Sequence, residues 1–130
     1  MNFEQILGHL QANNWPVQRL SENSARSWFA GNTRTFPFFV HADLTYFTLL
    51  CVPYARLPAD EPRASKLMDR LLHLNRELLM AKFSVDDDGD VVLSVEYPVA
   101  ELDESEVRDA LDALSHYADK HWEEVSSLSR

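Results

Sequence analysis

The chain has 130 residues, of which 45% are hydrophobic and 11% aromatic, enough for one domain with a single core and too many for a disordered chain. Residues 1–85 carry a net charge of +2, whereas residues 86–130, with 14 acids and 3 bases, carry −11. No Lys or Arg occurs from Asp86 to Glu106, so this stretch repels nucleic-acid phosphates and anionic membranes. We therefore expect direct binding to neither.

The N-terminal residues lack the basic and apolar segments of a secretory signal, and no apolar run reaches the roughly 18 residues of a membrane span. Cys51 is the only cysteine, which excludes an intramolecular disulfide and a multi-thiolate metal site. These features predict an unprocessed cytoplasmic protein with a single domain over residues 1–130.

The first 25 residues predict a helix and an edge strand. Apolar residues recur at helical spacing within residues 2–13, which indicates an amphipathic helix (Phe3, Ile6, Leu7, Leu10). Pro16 favours an extended backbone at Trp15, and Val17 to Ser21 is interpreted as a short edge strand.

Residues 26–53 predict an antiparallel meander. Aromatic and β-branched residues fill three runs, Arg26 to Ala30, Phe36 to Ala42 and Thr45 to Pro53, and turn residues separate them. Both alternating faces of the third run are largely apolar, which exceeds what a sheet covered by helices on one side needs. Something else should therefore cover part of the second face.

A second helix follows the meander. Asp60 is suited to cap it, and a broad apolar stripe runs from Leu67 to Leu79. We expect this helix to end near Leu79.

The next segment is the clearest hairpin of the chain. Phe83 and Val85 share a face with the odd-numbered residues from Val91 to Tyr97 only if the connecting loop has an odd length. We expect a three-residue loop with Gly89 in the left-handed conformation, forming a type I turn plus bulge.

The last predicted element is a surface helix. Asp103 and Glu106 form a capping box, after which one face is apolar and the opposite face is rich in carboxylates. We expect Ser126 to Arg130 to fray at its end.

Few residues indicate chemistry. Asp86 to Asp90 is similar to the start of an EF-hand calcium loop, but Val91 and Tyr97 stand where Gly and Glu are required. The histidines form no pair at helical ligand spacing, and no G-x-S-x-G or glycine-rich phosphate loop is present. The meander aromatics could stack on nucleic-acid bases, but the net charge of −9 favours a core or subunit interface. We expect no metal, cofactor or catalytic residue.

A group of three polar residues is the alternative candidate for an enzymatic centre. His41 and Asp43 lie on the same side of a strand end, and Glu77 could join them as a metal or acid/base site. Cys51, inside an apolar strand, is interpreted as a core residue because desolvation disfavours its thiolate.

Four stretches resemble the YbjN-like family, whose fold is that of the type III secretion chaperones. They are Leu71 to Phe83, with its Asn in the second helix, Val85 to Leu93, Leu49 to Pro53 and Tyr117 to Asp119. The resemblance implies an α+β domain in which three helices accompany an antiparallel sheet, made of a three-strand meander and a C-terminal hairpin, in the order α-β-β-β-α-β-β-α. It also implies a homodimer without enzymatic activity.

From this resemblance we expect a non-catalytic protein-binding module, a chaperone or adaptor for a client protein in stress response or regulation. Apolar sheet residues are the candidate dimer or client contacts, namely Phe38, Val40, Phe47 and Leu49. The acidic third would keep the complex soluble and attract a basic client, such as a nucleic-acid-associated protein. The alternative is a small-ligand or signal-sensing regulatory domain with a pocket between sheet and helices.

Overall fold

A computed structural model describes all residues 1–130 and contains three helices and one six-stranded antiparallel sheet. The elements in chain order are α1 (Phe3–Ala12), β1 (Gln18–Arg19), β2 (Ser24–Ala30), β3 (Thr35–Ala42), β4 (Tyr46–Arg56), α2 (Glu61–Leu74), β5 (Ala81–Val85), β6 (Asp90–Pro98) and α3 (Glu104–Ser129). The strands lie in the sheet in the order β1-β2-β3-β4-β6-β5. The predicted α+β fold is confirmed, and the edge strand after Pro16 is present with two residues.

One face of the sheet is buried under the helices. α3 packs on β4 and β6, and it contacts both α1 and α2, so the three helices share this face. The strands contribute alternate side chains to the core beneath them, including Ala25, Phe38, Leu49, Phe83 and Leu93. The other face of the sheet has no helical cover.

An aromatic cluster fixes α3 on the sheet. The buried Tyr54 hydroxyl on β4 donates a hydrogen bond to the carbonyl oxygen of Ala118 at 2.6 Å. Desolvation raises the pKa of this hydroxyl, so it stays protonated and able to donate. The Trp122 ring packs edge-on against Tyr54 and Phe36, with centroid distances of 5.5 and 5.7 Å. The guanidinium of Arg34 lies 4.3 Å from the Trp122 ring centroid and covers the cluster from outside.

The turn between β2 and β3 is attached to the same helix. The backbone and side-chain N–H groups of Asn32 donate to the Asp119 carboxylate at 2.8 and 2.7 Å. Gly31 makes this approach possible, because a Cβ atom there would lie 2.5 Å from the Asp119 Oδ1 atom and 2.7 Å from the Phe36 ring. The glycine therefore has a packing role that its sequence context did not reveal.

The hairpin loop is confirmed as predicted. Val85 pairs with Val91 and Phe83 with Leu93, so the odd-numbered side chains share the covered face. The Asp86 N–H donates to the carbonyl oxygen of Asp90 at 3.0 Å, which leaves a loop of three residues, 87–89. The N–H of Gly89 donates to the carbonyl oxygen of Asp86 at 3.1 Å, and Gly89 has φ of 79°. This is the left-handed conformation that a type I turn plus bulge requires.

Two predicted helix ends are wrong. α2 ends at Leu74 rather than near Leu79, because the Asn75 amide leaves the helix to bond β5 and Leu78 turns back into the core. α3 continues to Ser129 instead of fraying from residue 126, because Val125 and Ser126 are buried against the domain. In both cases a tertiary contact overrides the local signal.

Replacing Gly31 by Ala should lower the free energy of unfolding by about 1–3 kcal/mol, because the new methyl group displaces Asp119 or Phe36. Gly8→Ala is the matched control. Gly8 is helical, and a methyl group added there would meet no atom within 4 Å, so alanine should raise stability by about 0.5–1 kcal/mol. Urea unfolding followed by circular dichroism measures both changes. Equal effects of the two substitutions would contradict the proposed role of Gly31.

Candidate interaction surfaces

Two carboxylates that indicated metal or acid/base chemistry, Asp43 and Asp86, accept hydrogen bonds from backbone N–H groups within turns. Asp86 accepts hydrogen bonds from the N–H groups of Asp88 and Asp90 at 3.0 and 2.9 Å within the hairpin loop. Asp43 accepts from Tyr46 and Thr45, each at 2.7 Å, and these bonds lower the pKa of its carboxyl. No group of three His, Cys, Asp or Glu side chains is placed to hold a metal ion.

The alternative centre of His41, Asp43 and Glu77 is not assembled. His41 and Asp43 lie together at the β3–β4 turn, where the imidazole influences the carboxyl. Glu77 follows α2, and its charge acts on Arg70 and His121. Cys51 is buried in β4, and desolvation raises the pKa of its thiol to about 12, which suppresses the reactive thiolate.

The four predicted contact residues lie on the covered face of the sheet. Phe38, Val40, Phe47 and Leu49 are each at most 1% exposed. Phe38 packs against Trp15, with ring centroids 5.7 Å apart. These side chains build the core of the domain, and the intact fold leaves none of them free to touch another protein. Their assignment as contacts is therefore corrected.

The alternate residues of the same strands form the uncovered face. Trp28 is 40% exposed, and Phe39, Leu50 and Val52 are half-buried. Phe39 on β3 lies opposite Leu50 on β4. Trp28 on β2 lies opposite Pro37, two residues before Phe39 on the same face, so these apolar side chains form a strip over the central strands. We call this strip the open sheet face. It explains why both faces of β4 are apolar in sequence.

A second apolar surface lies on α2. Met68 and Leu72 project from this helix, with Leu72 69% exposed. Beside them is a groove of about 170 Å³ that Leu71, Phe83 and Val85 also line. Met68 and Leu72 belong to the stripe that the sequence indicated as core-facing; only Leu67, Leu71 and Leu74 of that helix are buried. We call Met68 and Leu72 the α2 stripe.

Asn75 closes the edge of the sheet next to the α2 stripe. Its side-chain oxygen accepts from the N–H of Phe83 at 2.7 Å, and its side-chain nitrogen donates to the carbonyl oxygen of Phe83 at 3.1 Å. The amide thus occupies both hydrogen-bonding groups through which another strand would pair with β5 at this residue. The Asn and Phe that carry the family resemblance are the two partners of this contact.

His121 is a buried titratable group that lies between α3 and β5. It is 5% exposed, stacks on Tyr117 and meets the Phe83 ring edge-on, and its Nε2 atom has no hydrogen-bond partner. Desolvation lowers the pKa of the imidazole, and the nearby Lys120 adds to the shift against the opposing charges of Glu77 and Glu124. The neutral form is favoured in the fold.

None of the three helices combines the length and the apolar character that a membrane span requires. The longest, α3, carries seven of the 14 carboxylates of residues 86–130.

The arrangement of elements is that of the type III secretion chaperones. Chains from three solved complexes have it: the ExoU-SpcU heterodimer of the Pseudomonas aeruginosa type III secretion system, the HopA1-SchA chaperone-effector complex and the ExsC-ExsE complex. Their TM-scores are 0.55, 0.63 and 0.61, with sequence identities of 18%, 15% and 14%. The matches cover 89%, 94% and 95% of this chain and 83%, 93% and 96% of theirs. The likeness establishes the fold.

Residues 2–126 match the YbjN family, described as "Putative bacterial sensory transduction regulator". The chain belongs to this family, which confirms the resemblance found in the sequence. No curated protein has a matching sequence.

Replacing Asn75 by Ala should lower the free energy of unfolding by about 1–3 kcal/mol, because the N–H and C=O of Phe83 lose their partners. Hydrogen exchange at the Phe83 amide should accelerate at the same time. Asn13→Ala is the control, since this exposed amide also bonds a backbone carbonyl, and its loss should cost less than about 0.5 kcal/mol. Unchanged exchange at Phe83 would show that Asn75 does not protect the edge.

Acidification should destabilise the fold through His121. Its pKa in the fold lies below the ordinary value of 6.5, so the unfolded chain binds the proton more readily, and stability is lost as the pH falls below about 6.5. His121→Phe should flatten the decline between about pH 7 and pH 5.5, a window above the titration of the carboxylates. Parallel pH profiles of wild type and His121→Phe would refute the assignment.

Proposed function

We propose that this protein is a non-catalytic, cytoplasmic chaperone or adaptor that acts as a homodimer and binds a client protein in stress response or regulation. The observation that carries the proposal is the exposure of apolar side chains on a domain whose core is already complete. Large apolar groups remain at the open sheet face and at the α2 stripe, while Cys51 is buried and the carboxylates of Asp43 and Asp86 are bonded within turns. Apolar patches rimmed by polar residues are typical of protein-binding surfaces.

The α2 stripe is the proposed dimer contact. Leu72 is more exposed than any apolar residue of the open sheet face, and the groove beside it can receive a side chain from a second copy. α2 is also the most basic helix of the chain, with Arg63, Lys66 and Arg70. Contact through α2 therefore avoids bringing two acidic α3 helices together, which like-charge repulsion opposes in a chain of charge −9.

The open sheet face and the acidic third are left for the client. Trp28, Phe39 and Leu50 replace the four buried residues as candidate apolar contacts. The excess of carboxylates favours a basic client, such as a nucleic-acid-associated protein that the acidic surface would shield. An interaction of this kind should weaken between about 0.05 and 0.5 M salt as the screening length shortens.

The dimer is tested by light scattering coupled to gel filtration at micromolar concentration. Wild type should be dimeric, and Leu72→Glu should raise the dimer dissociation constant at least about tenfold, because a carboxylate would be desolvated in the interface. Gln11→Glu adds the same charge at an exposed position of α1, away from the α2 stripe, and should leave the dimer intact. A wild-type monomer, or equal effects of both substitutions, would contradict the dimer proposal.

The client is tested by affinity capture from native lysate followed by mass spectrometry. A specific partner should be recovered by wild type at about 0.05 M salt and released at about 0.5 M salt. Trp28→Ser should reduce its recovery, whereas substitution of an exposed residue far from the open sheet face, Gln11→Ser on α1, should not. Failure to recover any partner would count against the chaperone or adaptor role.

A sensing domain for a small ligand is the second candidate, because the family description names sensory transduction. The largest groove, of about 780 Å³, lies at the end of the sheet between Phe3, Ala42, Leu44 and Val99. A thermal shift screen with metabolites tests this function. A shift that Ala42→Trp abolishes would favour sensing over client binding.

A further inference from the structure

A groove with apolar walls and an acidic rim lies between α3 and the turn that follows α2. Leu79, Met80, Ala113 and Tyr117 form the walls of this space of about 310 Å³, and Asp109, Asp112 and His116 complete its lining. Leu79 and Met80 are 71% and 52% exposed. We call it the acid-rimmed groove.

The walls are fixed by the rest of the domain. The Tyr117 hydroxyl on α3 accepts a hydrogen bond from the backbone N–H of Leu79 at 3.0 Å. The Tyr97 hydroxyl on β6 donates to the Met80 sulfur atom at 2.6 Å. Both exposed apolar residues are therefore anchored to elements of the core, and the groove exists before any partner arrives.

The carboxylates of the rim are without cationic partners. None of the five ion pairs of the chain includes Asp109 or Asp112, and neither side chain accepts a hydrogen bond. After desolvation, the charges of Asp109 and Glu106 contribute to a raised pKa of the Tyr97 hydroxyl, so the negative potential reaches the Met80 wall. The groove is therefore an apolar recess surrounded by negative charge.

Met80 is held there at an energetic cost. Its φ is 67°, in the left-handed region, which a residue with a Cβ atom adopts less readily than glycine. Glycine would relieve this strain and complete the turn. A residue held in a strained backbone conformation with an exposed thioether is typical of functional and contact surfaces.

We propose that the acid-rimmed groove binds a basic, partly apolar segment of the client protein. An apolar side chain of the segment enters between Leu79 and Met80, and flanking Lys or Arg side chains pair with Asp109 and Asp112. The proposal rests on the proposed client-binding function and adds the chemistry of the client. An acidic segment is excluded because it would bring more negative charge against unpaired carboxylates.

The test uses fluorescence anisotropy of labelled peptides with the intact protein. A peptide of about twelve alternating Lys and Leu residues should bind, and peptides alternating Glu with Leu or Lys with Ser should bind at least about tenfold more weakly. The double substitution Asp109→Asn, Asp112→Asn should weaken the Lys-Leu peptide by about tenfold. The matched pair Asp87→Asn, Asp88→Asn removes the same charge at the hairpin tip and should change binding by less than about twofold.

Met80→Gly separates binding from folding. It should keep or raise the urea midpoint, because it relieves the left-handed strain, yet weaken the Lys-Leu peptide by at least about threefold through loss of a groove wall.

Several results would overturn the proposal. If both Asp double substitutions weakened peptide binding equally, the binding would come from general attraction to the acidic third and not from the groove. Tight binding of the Lys-Ser peptide would remove the role of the apolar walls. If the double substitution Asp109→Asn, Asp112→Asn abolished the dimer, the groove would bind a second copy of this chain and not a client segment. If that variant still captures the same client as wild type, the groove proposal fails while the proposed function stands; if wild type captures no client, the proposed function fails instead.

Discussion

The packing of α3 across one face of the sheet is the contact on which the other features of this domain depend. Tyr54, Trp122 and the Asp119 carboxylate fasten the helix to β4 and to the β2–β3 turn. Because this single long helix buries the central strands and collects α1 and α2 beside it, all helical cover lies on one side. The opposite face of the sheet and the outside of α2, with the turn after it, are then the main surfaces where apolar side chains stay exposed.

The same helix also separates the charges. Its inner face is apolar because it covers the sheet, and its outer face carries carboxylates because it meets water. Half of the carboxylates of residues 86–130 therefore lie on α3, on the side of the domain away from the open sheet face. Association through α2 or the open sheet face keeps the acidic surfaces of two molecules apart, and the acidic surface itself selects partners of positive charge.

The sequence predicts the elements well where the signal is local. The capping box of α3 and the odd hairpin loop follow from neighbouring residues alone, and both are confirmed. The end of α2 does not follow from neighbouring residues, because the helix stops where the side-chain amide of Asn75 bonds the backbone of Phe83 in β5. Which face of the central strands is covered also escaped prediction. When both faces of a strand are apolar, periodicity divides its residues into two sets but cannot tell which set the helices will cover, and Phe38 and its companions belong to the covered set.

The turn between α2 and β5 shows how such a domain can hold exposed apolar residues in an ordered surface. Its backbone belongs to no strand or helix, so it is held by side chains: Asn75 on Phe83, Tyr117 on Leu79 and Tyr97 on Met80. Each anchor comes from, or leads to, an element that the core fixes, so the turn keeps its shape without burying its own apolar residues. A partner that binds there would meet a surface already ordered and would lose little conformational entropy on the protein side, which leaves more of the contact energy available for affinity.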